Sequence, residues 1–206
     1  MSTDNLLIIF SRYPEPGKTK TRMIPALGAE GAAQLQREMT EYTLKQAKSV
    51  PGSQDLTLEV HFAGGGKKLM QTWLGEDVAC KAQSLGDLGN RMMIAFANAF
   101  ADGKKAVVII GIDCPGVNSQ ILTQAFTHLE QHNLVLGEAA DGGYYLIGLR
   151  HPVPELFIGI DWGSERVFSQ TVAIAKQLNL ATAYLPILQD VDRPEDLPIW
   201  LRLRDT

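Results

Sequence analysis

Apolar residues form short runs along the chain, and these runs alternate with segments in which apolar residues recur with helical periodicity. Continuous apolar runs at residues 6–10 and 106–112 predict buried strands, and alternating apolar residues predict a half-buried strand at 55–63. Four further strands are expected, the first of them weak, at residues 78–83, 134–136, 144–149 and 181–188. Helical periodicity or helix-start signals predict six helices, at residues 28–49, 67–74, 87–101, 118–132, 164–178 and 194–204.

This alternation predicts an α/β fold with a mainly parallel sheet covered by helices on both faces. The strand at 106–112 is the most hydrophobic, so we expect it at the centre of the sheet. The strands at 134–136 and 144–149 are close enough in sequence to form a hairpin, which would make the sheet mixed. The chain shows no repeats and no linker, so we expect a single domain that spans residues 1–206.

Composition and charge narrow the class of protein. The chain is 45% hydrophobic and 20% charged, which is typical of a globular domain. A net charge of −4 argues against sequence-independent binding of nucleic acid, and no apolar run is long enough to span a membrane. The N-terminal residues lack the features of a secretory signal. Cys80 and Cys114 do not suggest a disulfide, so we expect a cytoplasmic protein.

The loop after the first strand concentrates positive charge. Four basic residues and one acidic residue lie between Arg12 and Arg22, against the negative background of the chain. Ligands of α/β proteins bind at the carboxyl ends of strands, so this loop is a candidate phosphate site. Its candidate ligands are Ser11, Arg12, Gly17, Lys18, Lys20 and Arg22. The loop fits neither a Walker A motif nor a dinucleotide fingerprint, and an ordinary turn with solvated charges is the alternative.

Acidic residues follow two other strands. Asp113, directly after the central strand, is a candidate ligand for Mg²⁺, which prefers oxygen ligands and bridges to substrate phosphates. The alternative is that Asp113 caps the next turn. Asp190 and Asp192 follow the last strand and could supply a second ligand, although a helix start explains their segment equally well. Cys114 is expected to be a small buried residue rather than a nucleophile.

Two glycine-containing loops complete the set of candidate site residues. Asp141 precedes two glycines and could act as a general base or bind a sugar hydroxyl. The segment 83–91 could bind a base or ribose, or merely cap a helix through Asp87. Its candidate nucleotide ligands are Gln83, Gly86, Asp87, Gly89 and Arg91. Together, these loops predict transfer chemistry on a nucleoside di- or triphosphate, with a metal ion neutralising the departing phosphate.

Five motifs occur in an order that resembles a known family. They read FSRYPEPGKTKTRM, GDLGNRM, GIDCP, DGGYYLIGL and DVDRPEDL. In this order they resemble the small GT-A-type nucleotide-diphospho-sugar transferases, and within these the bacterial glycosyltransferase-like group associated with arsenosugar biosynthesis. That group is similar in sequence to the phospholactate guanylyltransferases of the deazaflavin cofactor pathway and, more distantly, to molybdenum-cofactor nucleotidyltransferases.

The resemblance implies a three-layer, Rossmann-like GT-A fold with a mixed, mainly parallel sheet and a bound Mg²⁺ or Mn²⁺. By motif position, Arg12, Lys20 and Arg22 match the phosphate loop. Asp113 matches the metal-binding acid, and Asp192 or Asp190 matches the segment that often supplies a second ligand. The expected catalytic residues are Asp113, Asp141 and Lys20. The chain departs from the family in having one acid in place of Asp-x-Asp, and its first loop lacks the Gly-rich stretch of typical nucleotidyltransferases.

The leading hypothesis is glycosyl transfer from a nucleotide-activated sugar to a small acceptor. The main alternative is nucleotidyl transfer, in which an NTP is joined to a phosphorylated small molecule and pyrophosphate is released. The third hypothesis is that the protein is a member of the family that binds a nucleotide but catalyses no reaction. The expected partners are a nucleotide or NDP-sugar and a small-molecule acceptor, with no nucleic acid and no membrane span. The nucleobase, the sugar and the choice between monomer and homodimer stay open.

Overall fold

A computed structural model describes residues 4–52 and 55–204 of the chain. The strands are β1 (Asn5–Arg12), β2 (Leu56–Ala63), β3 (Ala79–Ala82), β4 (Ala106–Ile110), β5 (Leu134–Ala139), β6 (Tyr144–Leu149) and β7 (Thr182–Leu188). The helices are α1 (Ile24–Lys48), α2 (Lys67–Leu74), α3 (Leu88–Ala101), α4 (Ser119–Leu129), α5 (Val167–Gln177) and α6 (Leu197–Arg204). Short 3₁₀-helices lie at Thr21–Met23, Pro154–Phe157 and Pro194–Asp196. The expected domain of residues 1–206 includes residues 1–3, 53–54 and 205–206, which lie outside the described residues.

Within the described residues, seven strands form one sheet in the order β3-β2-β1-β4-β6-β5-β7. Strand β6 is antiparallel to both of its neighbours, β4 and β5, and the other pairs are parallel. This confirms the predicted mixed, mainly parallel sheet with the strand beginning at Ala106 in its centre. Six strands therefore point in one direction, and their carboxyl ends share one edge of the sheet.

Helices cover both faces of the sheet, because neighbouring residues of a strand point to opposite sides. Leu7 and Ile9 of β1 belong to a core that includes buried residues of α1, α2, α4 and α6. Leu6 and Ile8 belong to the opposite core, with buried residues of α3, α5 and the 3₁₀-helix Pro154–Phe157. The predicted three-layer arrangement is confirmed. Among the described residues, none of the helices combines the length and apolar character that crossing a bilayer requires.

Several element ends differ from the predicted ones. Strand β5 continues to Ala139, because its pairing with β6 and β7 extends past the short apolar run. Helix α4 ends at Leu129, three residues before the predicted end at 132. The prediction that Ser164 caps a helix is wrong: α5 begins at Val167, and no side chain caps it. Ser164 instead accepts a hydrogen bond from the Arg166 amide at 3.3 Å.

Strand β2 carries a buried pair of hydrogen-bonded polar side chains that the alternation of its apolar residues does not reveal. Glu59 and His61 point away from the apolar face, and each is only 8% exposed. Glu59 contacts the His61 Nε2 at 2.9 Å and the Lys81 Nζ at 2.8 Å. Burial alone would raise the pKa of Glu59, but the hydrogen bonds with His61 and Lys81 outweigh it and lower the pKa. Glu59 therefore stabilises the fold as a carboxylate.

We expect Glu59→Gln to lower the free energy of unfolding by about 2 kcal/mol at pH 7, because both neighbours lose a charged partner. Since the pKa of Glu59 is lowered on folding, its contribution is fully present above its usual pKa of about 4.5 and is lost as the pH falls through the folded-state value. Urea unfolding at a series of pH values would show the gap between wild type and variant narrowing on acidification. Glu15→Gln, at an exposed pair with Lys18, should change stability by less than about 0.5 kcal/mol. A gap that is independent of pH would contradict this account.

Candidate functional site

The basic loop (residues 12–22) and the aspartate after the central strand are in direct contact. The Lys20 ammonium donates a hydrogen bond to Asp113 Oδ1 at 2.6 Å and another to the Val191 carbonyl at 2.7 Å. The Lys20 side chain is 4% exposed, whereas that of Asp113 is 57% exposed. Three segments, which follow β1, β4 and β7, thus meet at the carboxyl edge of the sheet.

The backbone of the basic loop delivers Lys20 to this position. A turn closes where the Lys18 amide donates to the Glu15 carbonyl at 3.0 Å, and Gly17 has a φ of 77°. Lys20 itself has a left-handed backbone with a φ of 43°, directly before the 3₁₀-helix Thr21–Met23. This conformation costs a non-glycine residue about 1–2 kcal/mol, which the two hydrogen bonds of the ammonium can offset.

Main-chain contacts of Val191 fix Asp113 from the other side. The Val191 amide donates to the Asp113 carbonyl at 2.7 Å, while the Val191 carbonyl binds Lys20. This role could not be predicted from the sequence, because it uses backbone groups of an ordinary buried valine. The turn after Asp113 is closed by the main chain, from the Val117 amide to the Cys114 carbonyl at 3.1 Å. This closure argues against the alternative that Asp113 caps the turn.

Arg22 pairs with Asp192, one of the two acids after β7. The hydrogen bond from Arg22 to Asp192 and the attraction between the two charges raise the pKa of Arg22. Asp196 caps the short helix, because its Oδ2 accepts hydrogen bonds from the amides of Asp192 and Arg193 at 3.1 and 2.8 Å. The alternative that this segment serves a helix start therefore holds for Asp196. The Asp192 carboxylate is directed at the basic loop instead.

Asp190 and Asp141 bring further negative charge to this edge. Burial raises the pKa of Asp190, and repulsion from Asp141, Asp196 and Asp192 adds to the effect. Asp141 Oδ1 accepts a hydrogen bond from the Gly143 amide at 2.8 Å, which orients its carboxyl group in the turn between β5 and β6. Two aspartates that the sequence predicts for the site thus repel each other electrostatically, as expected where a cation binds.

The acids fit a metal ion only in part. Across residues 4–52 and 55–204, no group of three or more acidic, histidine or cysteine side chains is arranged to hold a metal ion. Mg²⁺ is commonly bound by one or two carboxylates together with water and substrate phosphates, rather than by a cage of protein ligands. Asp113 is exposed and next to a phosphate-binding candidate, so the residues fit a metal ion whose coordination a bound phosphate completes.

Cys114 is buried and reduced beneath this site. Burial raises the pKa of its thiol, and the nearby carboxylates of Asp113, Asp190 and Asp141 raise it further. A thiol that stays protonated is a poor nucleophile. The sequence-based prediction of a small buried residue is therefore confirmed.

Several predicted phosphate ligands have hydrogen-bond or ion-pair partners within the protein. The Ser11 hydroxyl is buried within 2.9 Å of the Thr40 hydroxyl and accepts from Gln36 at 3.3 Å, so the structure argues against its predicted phosphate contact. Arg12 donates to the Lys18 carbonyl at 3.1 Å and helps to fold the basic loop. Lys18 forms an exposed pair with Glu15 at 2.7 Å.

The predicted nucleotide loop at 83–91 is held by its own polar side chains. Gln83 donates to the carbonyls of Ser11 and His61 and accepts from Arg91 at 3.3 Å. Arg91 also donates to the Gly86 carbonyl at 2.9 Å. Asp87 caps α3 by accepting from the Asn90 amide at 2.8 Å, as the alternative reading proposed. These contacts shape the loop and leave its main chain at the carboxyl edge of the sheet.

Trp162 packs over the start of α3. A Cβ atom at Gly89 would lie 2.4 Å from the Trp162 Nε1, so only glycine permits this approach. Tyr144 meets the Trp162 ring edge to face, with ring centroids 6.3 Å apart. Burial raises the pKa of Tyr144 and of Tyr145, and the Tyr145 hydroxyl donates to the Pro186 carbonyl at 3.0 Å. Both hydroxyl groups are therefore expected to stay protonated, and the two rings serve packing.

A cavity of about 400 Å³ lies at the opposite edge of the sheet, near the amino ends of β1, β2 and β4. Its basic side chains have local partners: Lys105 pairs with Asp4 at 2.8 Å, and Arg150 donates to the Glu130 carbonyl at 2.8 Å. The clustered acids and bases of the candidate site are all at the other edge. We therefore place the chemistry at the carboxyl ends of the strands.

Comparisons with known proteins agree with the fold. A solved structure from Desulfovibrio desulfuricans G20, provisionally assigned as a nucleotide-diphospho-sugar transferase, is 34% identical with a TM-score of 0.91. The alignment covers 97% of this chain and 87% of that one. No match was found among curated proteins.

Two more distant structures share only the fold. A CMP:2-keto-3-deoxy-manno-octonic acid synthetase in complex with CTP is 10% identical, covers 99% of this chain and 100% of its own, and has a TM-score of 0.61. Rv0371C from Mycobacterium tuberculosis H37Rv in complex with manganese is 12% identical, covers 98% and 99%, and has a TM-score of 0.53. Residues 44–164 match the family described as uncharacterized protein conserved in bacteria, DUF2064. This match covers more than half of the chain and shows that the chain belongs to the DUF2064 family.

Proposed function

We propose that this protein is a transferase that acts on a nucleotide-activated substrate, and that it transfers a sugar from an NDP-sugar to a small acceptor. The observation that carries the proposal is the contact between the Lys20 ammonium and Asp113 at the carboxyl edge of the sheet. It brings a cation suited to phosphate and an exposed carboxylate suited to a metal ion to one point. The 34% identical relative, provisionally assigned as a nucleotide-diphospho-sugar transferase, supports the same class of reaction.

Each side chain of the site has a role in this reaction. Lys20 and Arg22 bind the diphosphate and stabilise the charge that develops on it as the sugar departs. Asp113 and one of Asp190 and Asp192 hold Mg²⁺ or Mn²⁺, and such an ion, when bound, neutralises negative charge on the leaving phosphate. Asp141 accepts the proton of the acceptor hydroxyl or binds that hydroxyl.

The same groups would also serve nucleotidyl transfer, because both reactions develop charge on a phosphate bound to a metal ion. The CTP complex of a protein with this fold supports keeping that alternative. The narrower links to arsenosugar and deazaflavin pathways stay predictions from sequence resemblance.

Product analysis tests the proposal directly. The protein is incubated with Mg²⁺ or Mn²⁺, a panel of NDP-sugars and small hydroxylated acceptors, and release of free NDP is measured. Free NDP together with a glycosylated product supports the proposal. Pyrophosphate released from an NTP and a phosphorylated acceptor supports nucleotidyl transfer instead. Nucleotide binding that depends on metal, without any product, supports a binding protein.

Lys20→Ala should weaken binding of a nucleoside diphosphate about thirtyfold, because a charged hydrogen bond to phosphate contributes about 2 kcal/mol. Binding of the corresponding nucleoside should stay the same, since that ligand has no phosphate. Isothermal titration with both ligands measures the two affinities. Lys105→Ala, which removes an exposed lysine at the other edge of the sheet, serves as the matched control. Equal losses for nucleoside and diphosphate would contradict the role in phosphate binding.

A further inference from the structure

Two of the three acids that the proposed function considers as metal ligands, Asp113 and Asp192, already have cations as partners. Lys20 binds Asp113, and Arg22 binds Asp192. Both cations belong to the basic loop, which therefore acts as an internal counter-ion for the acids that follow β4 and β7. The same two cations are the ones that the proposed function assigns to the phosphate of the substrate.

The Lys20 ammonium opposes the binding of a second cation to the Asp113 carboxylate by electrostatic repulsion. The ammonium lies 2.6 Å from Asp113 Oδ1, and its side chain is 4% exposed, so water screens it poorly. A divalent cation on this carboxylate would lie within a few ångströms of the ammonium, and charges of like sign repel strongly at that separation. Lys20 also donates to the Val191 carbonyl at 2.7 Å, which fixes the ammonium beside Asp113.

We propose that the Lys20 ammonium competes with the divalent cation for Asp113. The cation binds as Lys20 leaves the carboxylate, and the released ammonium then becomes the ligand of the substrate phosphate. This inference rests on the proposed function and deepens it, because it makes Lys20 the residue through which metal ion and phosphate favour each other's binding. In the absence of phosphate, the protein binds the metal ion weakly.

Manganese binding without any nucleotide tests the competition. Mn²⁺ is titrated into wild type, Lys20→Met, Lys20→Arg and Lys105→Met, and free Mn²⁺ is followed by electron paramagnetic resonance. Lys20→Met should bind Mn²⁺ at least about tenfold more tightly than wild type, since the competing charge is gone. Lys20→Arg keeps the charge and Lys105→Met leaves the site unchanged, so both should resemble wild type. An affinity of Lys20→Met that is equal to or weaker than that of wild type overturns the inference.

A second measurement uses the unmodified protein, in case Lys20→Met does not fold. Lysines are acylated briefly with acetic anhydride, with and without Mn²⁺, and the rate at each lysine is read by mass spectrometry. Mn²⁺ should raise the acylation rate of Lys20 severalfold and leave that of Lys105 unchanged. If Mn²⁺ binds and the acylation rate of Lys20 does not change, the inference is overturned but the proposed function is not. Absence of Mn²⁺ binding in every protein, also with nucleotide present, overturns the inference and the metal ion in the proposed function.

Discussion

Asp113→Asn is expected to abolish nucleotide binding that depends on a divalent cation and to reduce turnover about a thousandfold. The substitution keeps the size and shape of the side chain, but it removes the negative charge that a metal ion requires. The loss of one group that stabilises charge in the transition state commonly costs a factor of 10² to 10³. Turnover with an NDP-sugar and titration of nucleotide with and without Mg²⁺ would measure the two effects.

The stability of Asp113→Asn should change little, which separates a functional from a structural role. The Asp113 side chain is 57% exposed, and asparagine keeps an oxygen that can accept the hydrogen bond of the buried Lys20 ammonium, so we expect a loss of about 1 kcal/mol. For a chain of this size we expect the melting temperature to fall by about 3 °C. Asp77→Asn, at an exposed pair with Lys48, is the matched control and should keep full activity. Severe unfolding of Asp113→Asn would show that the residue serves the fold.

The contact between Lys20 and Asp113 follows from features that a sequence displays. Two apolar runs in the sequence predict strands β1 and β4. Because parallel strands end at the same edge of a sheet, the residues that follow these two strands are expected to lie near each other. The distance of 2.6 Å between the two side chains did not follow, because it depends on the left-handed backbone of Lys20. A lysine in that conformation has no signature in the sequence.

Two other features were hidden for different physical reasons. Ser11 lies two residues after Ile9 on the same face of β1, so strand periodicity points its hydroxyl toward α1, where Gln36 and Thr40 bind it. That direction could have been predicted. The roles of Val191 could not, because they use an amide and a carbonyl that every residue other than proline has.

Gly142→Ala is expected to lower the free energy of unfolding by about 3 kcal/mol or more, because backbone strain and a steric clash add. Gly142 has a φ of 87°, and a Cβ atom there would lie 2.2 Å from the Glu165 carbonyl oxygen and 2.6 Å from its Cα. These are backbone atoms, so relief requires a shift of the segment before α5. The Gly142 carbonyl also accepts a hydrogen bond from the Phe168 amide at 2.9 Å, and that shift would strain it. Urea unfolding measures the loss.

Gly163→Ala separates the two causes of this loss. Gly163 has a φ of 85°, but a Cβ atom there would meet nothing within 4 Å. Its substitution should therefore cost only the backbone strain, about 1–2 kcal/mol. The additional loss of stability at Gly142 relative to Gly163 measures the steric clash with Glu165. The close approach of Gly142 to Glu165 that causes this clash also positions the turn that presents Asp141 beside Asp190. If Gly142→Ala and Gly163→Ala prove equally stable, the turn can move freely, and Asp141 is not fixed for a role in proton transfer.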